Sequence, residues 1–132
     1  MSVVTIALSK GRILEETMPL LEAAGITPTE DPSKSRKLII PTRRAGVRII
    51  IVRASDVPTY VEYGGADAGI VGKDVLMEQD SDVYEPLDLL FGACRISVAA
   101  LRGEVARERL SSKVRVATKY PRITERFFNQ RG

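Results

Sequence analysis

The sequence predicts an α/β fold with a mixed sheet, because short β-branched runs alternate with segments whose apolar residues recur at helical spacing. Turns rich in glycine and charged residues join the two kinds of segment. The chain has 132 residues, of which 44% are hydrophobic, so it can bury a sizeable core. Its length favours one domain, or part of a two-lobed protein, over any larger arrangement.

The first elements follow from the start of the chain. Residues 3–8 are rich in β-branched side chains and predict a strand, and the apolar residues between positions 14 and 21 predict a helix. Gly25 is suited to end that helix, because glycine adopts left-handed backbone angles at no steric cost. Residues 27–37 are polar and contain two prolines, which predicts a loop.

A hairpin and a second helix come next. Residues 38–42 and 47–53 predict two strands, and the four residues between them are a spacing typical of a hairpin. Ser55 or Asp56 is suited to cap the helix that follows, whose apolar face includes Tyr60. A pair of glycines marks the end of that helix.

The alternation continues to the end of the chain. Residues 68–71 predict a small buried strand, and residues 72–77 predict a short helix. The remaining predicted elements are strands at 83–91, 95–101 and 114–118 and a last helix through 123–128 that begins near Pro121.

The composition excludes several classes of chemistry and location. The chain has no histidine, which excludes imidazole acid–base catalysis and a catalytic triad within it. Its one cysteine, Cys94, cannot form an intrachain disulfide and is expected to be buried or to line a cleft. No apolar run approaches the roughly 20 residues that cross a bilayer, and the first residues lack a signal-peptide pattern. We therefore expect a cytoplasmic protein with no membrane span.

The positive charge is concentrated near the end of the chain. The net charge is +3, and residues 102–132 carry nine basic and three acidic side chains. Such a segment can serve a nucleic acid, an anionic metabolite or a solvated helix face. Aromatic residues make up only 5% of the chain and no nucleic-acid module is recognisable, so we expect no nucleic-acid partner.

The turn between the first strand and the first helix is suited to hold an anion. A helix start presents unpaired N–H groups and the positive end of the helix dipole. Lys10 and Arg12 add positive charge there, and Gly11 allows a ligand to approach the backbone closely. Either base alone is equally typical of an ordinary surface.

Two later strand-to-helix turns have weaker signals. Gly72 and Asp74 lie in a turn that superficially suggests a P-loop, but the earlier glycine that the motif requires is absent. Asp74 either caps the helix or binds a ligand hydroxyl. Thr118 and Lys119 lie at a third turn, where an ordinary capped helix start is an equal alternative.

Two arginines occupy positions where a charge is unfavourable unless it has a partner or binds a ligand. Arg53 ends a strand that otherwise reads as buried, so it either pairs with a carboxylate such as Asp56 or Asp67 or points into a ligand cleft. Arg95, beside Cys94, has the same two interpretations.

Six segments in this order resemble the catalytic chain of ATP phosphoribosyltransferases, and the resemblance extends over essentially the whole sequence. They are Ala7-Leu8-Ser9-Lys10-Gly11-Arg12, Ile40-Pro41-Thr42-Arg43, Val52-Arg53-Ala54-Ser55-Asp56-Val57-Pro58, Gly65-Ala66-Asp67-Ala68-Gly69-Ile70-Val71-Gly72, Cys94-Arg95 and Ala117-Thr118-Lys119-Tyr120-Pro121. The resemblance implies a two-lobed α/β fold similar to type II periplasmic binding proteins. Residues 1–100 would form the first lobe and residues 101–132 the beginning of the second.

The resemblance also implies an activity and a set of site residues. The family joins N1 of ATP to C1′ of phosphoribosyl pyrophosphate in the first step of histidine biosynthesis, releases pyrophosphate and needs Mg²⁺. Arg12 and Arg36 are expected to be catalytic through their charge on the departing pyrophosphate, and no residue is assigned to the metal. The expected substrate-binding residues are Lys10, Gly11, Lys37, Arg53, Asp56, Gly72, Asp74, Arg95, Thr118 and Lys119.

One departure from the family pattern affects what the chain can do. Family members carry an acidic Thr-Gly-x-Thr loop beyond the Thr118-Lys119-Tyr120-Pro121 segment, and no such string occurs in this sequence. We therefore expect a truncated chain that is inactive alone. The start of the sequence fits the short form of the family, which implies a homo-oligomer working with a regulatory subunit related to histidyl-tRNA synthetases.

Two functions of other classes stay open at the level of sequence. A non-catalytic lobe that binds an anionic ligand would share the fold and the cleft. An RNA-binding module would use the basic segment, and its affinity would fall steeply with salt.

Overall fold

The structure is a computed structural model that describes residues 2–103 and 115–132. The chain divides into two compact units, Met1–Gly92 and Ala93–Gly132. The elements of the first unit are β1 (Val4–Leu8), α1 (Arg12–Ala23), β2 (Ile39–Pro41), β3 (Val47–Ile51), a 3₁₀ turn (Ala54–Asp56), α2 (Val57–Glu62), β4 (Ala68–Gly69) and α3 (Lys73–Gln79). The second unit contains α4 (Pro121–Asn129).

The four strands of the first unit form one mixed sheet in the order β2-β3-β1-β4. β1 pairs in parallel with β3 on one side and with β4 on the other, so that Ile6 lies opposite Ile49 and Ala68. β2 and β3 are antiparallel, as the hairpin spacing predicts. The predicted α/β class with a mixed sheet is confirmed.

Helices cover both faces of the sheet. Side chains of successive strand residues point to opposite faces, so Ala7 and Leu8 enter different parts of the core. Ala7 packs with Val57 of α2 on one face, and Leu8 packs with Leu14 of α1 on the other. The sheet therefore separates two small apolar clusters, each closed by one helix.

α1 ends where the sequence predicts. Gly25 has φ +73°, and its N–H donates to the Glu22 carbonyl at 2.9 Å. The N–H of Ile26 donates to the Leu21 carbonyl at 2.7 Å, which completes a Schellman motif. Ile26 and Leu21 also share one apolar cluster, so the turn is held by backbone bonds and by packing.

Several predicted strands are wrong. Residues 83–91 and 95–101 are not strands, because no segment within residues 2–103 and 115–132 pairs with their backbone and the chain turns at Leu90 (φ 59°) and Gly92 (φ 65°). Residues 115–118 are likewise not a strand, and residue 114 lies outside the described part of the chain. β-branched composition favours a strand only where a partner strand exists.

Smaller corrections concern burial and capping. The predicted buried strand at 68–71 is reduced to the two exposed residues of β4, because β4 lies at the edge of the sheet. Asp56 rather than Ser55 occupies the N-cap position of α2, and within the described residues its side chain makes no capping hydrogen bond. Cys94 is exposed, so of its two predicted positions the buried one is wrong and the one lining a cleft stays a prediction.

The last helix is confirmed. α4 begins at Pro121, whose fixed φ and missing N–H suit the first turn of a helix. Within the described residues, no helix has the length and apolar character that a membrane crossing requires.

Candidate anion-binding cleft

The carboxyl ends of β1 and β3 lie side by side and open into a cleft of about 590 Å³. Crevices at the carboxyl ends of parallel strands are where α/β proteins commonly bind ligands. The cleft belongs wholly to the first unit. Its lining residues are Ser9, Lys10, Leu38, Ile51, Val52, Arg53, Ala54, Asp56 and Tyr60.

Lys10 and Gly11 occupy the turn between β1 and α1. Lys10 is exposed, lines the cleft and donates from its Nζ to the Ser35 carbonyl at 2.7 Å. Gly11 is the N-cap of α1 and has φ 110° and ψ −159°, backbone angles that are essentially restricted to glycine. The predicted need for glycine at this turn is therefore conformational, and its role in binding stays a prediction.

Arg53 follows the end of β3 and lines the same cleft as Lys10. Within the described residues, its guanidinium has no ion pair with Asp56 or Asp67. The Asp67 carboxylate instead accepts the Thr5 N–H at 2.7 Å. Of the two interpretations of Arg53, the structure therefore supports the position in a cleft over the carboxylate pair.

An apolar wall completes the cleft, and sequence analysis did not identify it. Leu38, Ile51, Val52 and Tyr60 line it together with the charged groups. The helical pattern of α2 suggests that Tyr60 belongs to the core, but its side chain is 37% exposed. The signal that could have placed it in the site is its position two turns after Arg53, on the helix that Asp56 begins.

The cleft does not include every predicted charge. Arg12 is exposed outside the lining, and its Nε donates to Glu16 Oε1 at 2.8 Å. Lys37 pairs with Glu30 at 2.6 Å, and Arg36 is exposed between Ser35 and Lys37. The structure thus brings Lys10, Arg53 and Asp56 together. It leaves the roles of the other three as predictions.

The segment 30–37, here called the 30–37 loop, carries two carboxyl groups whose pKa values are lowered. The hydrogen bond from the Lys37 ammonium lowers the pKa of Glu30 below its ordinary value of 4.5. The Ser33 hydroxyl and N–H both donate to Asp31, and these bonds lower the pKa of Asp31. Both carboxylates therefore stay charged at neutral pH and brace the loop.

The start of α3 brings Gly72 and Asp74 together. Gly72 is the N-cap with extended backbone angles, and a Cβ at this position would collide with the Asp74 carboxylate. A larger residue at position 72 would therefore require the Asp74 side chain to move. The next residue, Lys73, donates to Glu85 at 2.8 Å, and this bond raises the pKa of Lys73.

In the second unit, Arg95 is exposed and the turn before α4 is ordered by Thr118. The Thr118 hydroxyl oxygen accepts the Tyr120 N–H at 2.9 Å, and the Lys119 Nζ lies 5.5 Å from the centroid of the Tyr120 ring. The N-cap of α4 is Tyr120, so Thr118 orders the turn before the helix without capping it.

Comparison with known proteins identifies the family. The sequence model described as HisG, ATP phosphoribosyltransferase, matches residues 53–132, which is more than half of the chain. The chain belongs to the ATP phosphoribosyltransferase family. The ATP phosphoribosyltransferase of Albidiferax ferrireducens is 58% identical over 133 residues, and that of Pseudomonas syringae pv. syringae is 57% identical over 129 residues.

A solved structure supports the same assignment. The ATP phosphoribosyl transferase (HisG:HisZ) complex from Thermotoga maritima contains a chain that matches with a TM-score of 0.70 and 25% sequence identity. That match covers 98% of this chain and 60% of the other. The mixed sheet with its helices is consistent with a lobe of the expected periplasmic-binding-protein-like fold. A non-catalytic binding lobe is not favoured by these matches.

The chain spans about three-fifths of the length of the curated relatives that it matches. It covers 62% of the Albidiferax ferrireducens protein and 60% of the Pseudomonas syringae pv. syringae protein, while 98% and 97% of this chain are matched. Within residues 2–103 and 115–132, no group of three or more Asp, Glu or Cys side chains is placed to hold a metal ion.

Proposed function

We propose that the chain serves the ATP phosphoribosyltransferase reaction and that its cleft holds the phosphate groups of a substrate. In this reaction N1 of ATP forms a bond to C1′ of phosphoribosyl pyrophosphate. The bond from C1′ to the pyrophosphate oxygen breaks, and its electron pair leaves with pyrophosphate. The observation that carries the proposal is that Lys10 and Arg53 line one cleft at adjacent strand ends, in a chain of this family.

The charged side of the cleft suits the phosphate groups of a nucleotide, and the apolar side suits its base. Negative charge builds on the leaving group as the bond to C1′ breaks, so fixed cations stabilise the transition state more than the ground state. Lys10 and Arg53 supply such cations, and Asp56 lies beside them. Tyr60 and the aliphatic residues of the wall offer a surface on which a base can stack.

Arg12 and Arg36 are proposed as the residues that stabilise the departing pyrophosphate. The bond to Glu16 uses only the Nε of Arg12, and a guanidinium has five N–H donors in total. The bond to Glu16 therefore leaves Arg12 able to hold phosphate oxygens. The further substrate-binding residues that we propose are Gly11, Lys37, Gly72, Asp74, Arg95, Thr118 and Lys119.

Mg²⁺ fits this cleft as an ion held mainly by substrate phosphates. Mg²⁺ in nucleotide sites commonly keeps several waters and takes one or two carboxylates besides the phosphates. Asp56 is the carboxylate in the lining and is the residue that we propose to hold it. When bound, the ion neutralises charge on the pyrophosphate.

Partners, location and domain roles are part of the same proposal. The chain from Thermotoga maritima is found in a HisG:HisZ complex, which supports a regulatory subunit for this protein as well. We propose that this subunit is related to histidyl-tRNA synthetases and that the catalytic chains form a homo-oligomer. Because the reaction consumes ATP, we place the protein in the cytoplasm. Residues 1–100 would act as the first lobe and residues 101–132 as the beginning of the second.

Nucleotide binding tests the proposal directly. The 132-residue chain should bind ATP in isothermal titration, and Arg53→Met should weaken binding about tenfold or more, because a charge-assisted hydrogen bond is lost. Arg102→Met removes the same charge from an exposed position outside the cleft and should change affinity less than about twofold. Equal losses of ATP affinity in the two variants would show that binding depends on the overall positive charge of the chain, and would contradict the proposed site.

A further inference from the structure

One hydrogen bond joins the wall of the cleft to the 30–37 loop. The Lys10 Nζ donates to the Ser35 carbonyl at 2.7 Å, across 25 residues of sequence. Lys10 is part of the cleft lining, whereas Ser35 belongs to the loop. The acceptor is a backbone oxygen, so the bond holds the main chain of the loop.

The shape of the loop is set by bonds within it. The Asp31 carbonyl accepts the N–H groups of Lys34 and Ser35 at 3.2 and 3.0 Å, and the Lys37 N–H donates to the Ser35 hydroxyl at 3.1 Å. The Lys37 ammonium closes the loop onto Glu30 at 2.6 Å. The loop is therefore a compact turn, and the Lys10 bond ties that turn to the end of β1.

Arg36 lies between two anchored positions. Ser35 on one side is held by Lys10, and Leu38, two residues beyond Arg36, lines the cleft. Arg36 itself is exposed and lies outside the cleft lining. The bond from Lys10 on one side and the bond from the Ile51 N–H to the Leu38 carbonyl on the other therefore both limit where the main chain at Arg36 can lie.

We propose that Lys10 is a positioning residue that couples anion binding in the cleft to the order of the 30–37 loop and so to the placement of Arg36. An ammonium has three N–H donors, and Ser35 uses one of them. The other two are available to a phosphate, so one side chain can hold the loop and the anion at once. Because such coupling is reciprocal, an anion in the cleft orders the loop, and an ordered loop strengthens anion binding. The anion-binding half of this inference rests on the proposed function.

Hydrogen exchange of the 132-residue chain without ligand tests the attachment of the loop. In Lys10→Met the amides of residues 33–37 should exchange about tenfold faster than in the original chain, because the long-range bond to the loop is lost. Lys10→Arg keeps a donor and should restore slow exchange. Lys34→Met is the matched control, since it removes an exposed ammonium whose ion pair, with Asp31, lies within the same loop. Unchanged exchange in Lys10→Met would overturn the proposal, whatever the chain binds.

Titration with inorganic pyrophosphate tests the coupling. Pyrophosphate should slow exchange of the same amides in the original chain and have no such effect in Lys10→Met. Arg36→Met should weaken pyrophosphate binding about fivefold in the original chain and less than about twofold in the Lys10→Met background, as expected for coupled residues. Equal effects of Arg36→Met in both backgrounds would overturn the positioning role. Failure of the original chain to bind pyrophosphate would overturn the proposed function and the coupling between anion binding and loop order. The exchange rates without ligand would still decide whether Lys10 attaches the 30–37 loop.

Discussion

Arg53 shows how a single charged residue can carry information about a site. From the sequence, a base at the end of a buried strand has two equally reasonable explanations, a carboxylate partner or a ligand cleft. In the structure the Asp67 carboxylate accepts a hydrogen bond from the Thr5 N–H, and Arg53 lines the cleft together with Lys10. The choice depends on a contact across 62 residues of sequence, which no local pattern contains.

Glu30 gives a prediction for pH dependence at the same scale. Its pKa is lowered in the folded chain by the bond from Lys37, so the stability that this bond contributes is present above the ordinary value of 4.5 and is lost as the pH falls through the lowered pKa. Carboxyl-detected NMR titration should find Glu30 below 4.5 in the original chain and closer to 4.5 in Lys37→Met. The pKa of Asp31 should stay low in this variant, because its largest cause is the Ser33 hydroxyl. The same Glu30 pKa in both proteins would contradict the bond.

At the scale of elements, two glycines are required for opposite reasons. Gly11 starts α1 with φ 110°, and among the described residues beyond its two chain neighbours no atom lies within 4 Å of the position of a Cβ. Gly69 lies in β4 with ordinary backbone angles, but a Cβ there would lie 2.6 Å from Val57 Cγ1 and 3.2 Å from Val61 Cγ2. Gly11 is required because of its backbone angles, whereas Gly69 is required because a side chain has no room there.

Gly11→Ala should lower the free energy of unfolding by about 1–3 kcal/mol, because a side chain is strained at these backbone angles. Urea denaturation measures the loss. Glu15→Ala, an exposed change in the first turn of α1, should cost less than about 0.5 kcal/mol. A Gly11→Ala protein as stable as the original chain would contradict the assigned backbone conformation.

Gly69→Ala should lower the free energy of unfolding by about 1–3 kcal/mol through overpacking of α2 against β4. The same urea measurement in a double-mutant cycle isolates the cause. Val57→Ala removes the methyl group that the new Cβ would meet, so the two substitutions together should cost less than the sum of their separate effects. Strict additivity would show that Gly69 is not limited by its contact with α2.

At the scale of the whole molecule, the two units differ in how their segments are held. The first unit has a sheet whose faces are covered by α1 and α2, and its site lies where β1 and β3 end. The second unit contains α4 and, in its described part, has no strand.

Much of the fold follows from local chemistry in the sequence. The alternation of β-branched and helical patterns predicted β1, the β2–β3 hairpin, α1 and α4, because each depends on side-chain periodicity and on turn residues such as Gly25 and Pro121. The family was also recognisable, since six short segments keep their residue types and their order. Lys10, Arg53 and Asp56 were predicted because charged residues at strand ends and helix starts need a ligand or a partner; the structure places all three in the lining of one cleft, and their role in binding stays a prediction.

Tertiary contacts supplied the rest. Residues 83–91 and 95–101 have the composition of strands, but no segment in the described part of the chain pairs with them, and pairing is a property of two segments. Tyr60 has the periodicity of a core residue, yet it lines the cleft because α2 begins at the rim. The bond between Lys10 and Ser35 likewise joins residues that are distant in sequence. Sequence patterns report each segment's own preferences, whereas a cleft is made of groups that meet only after the chain has folded.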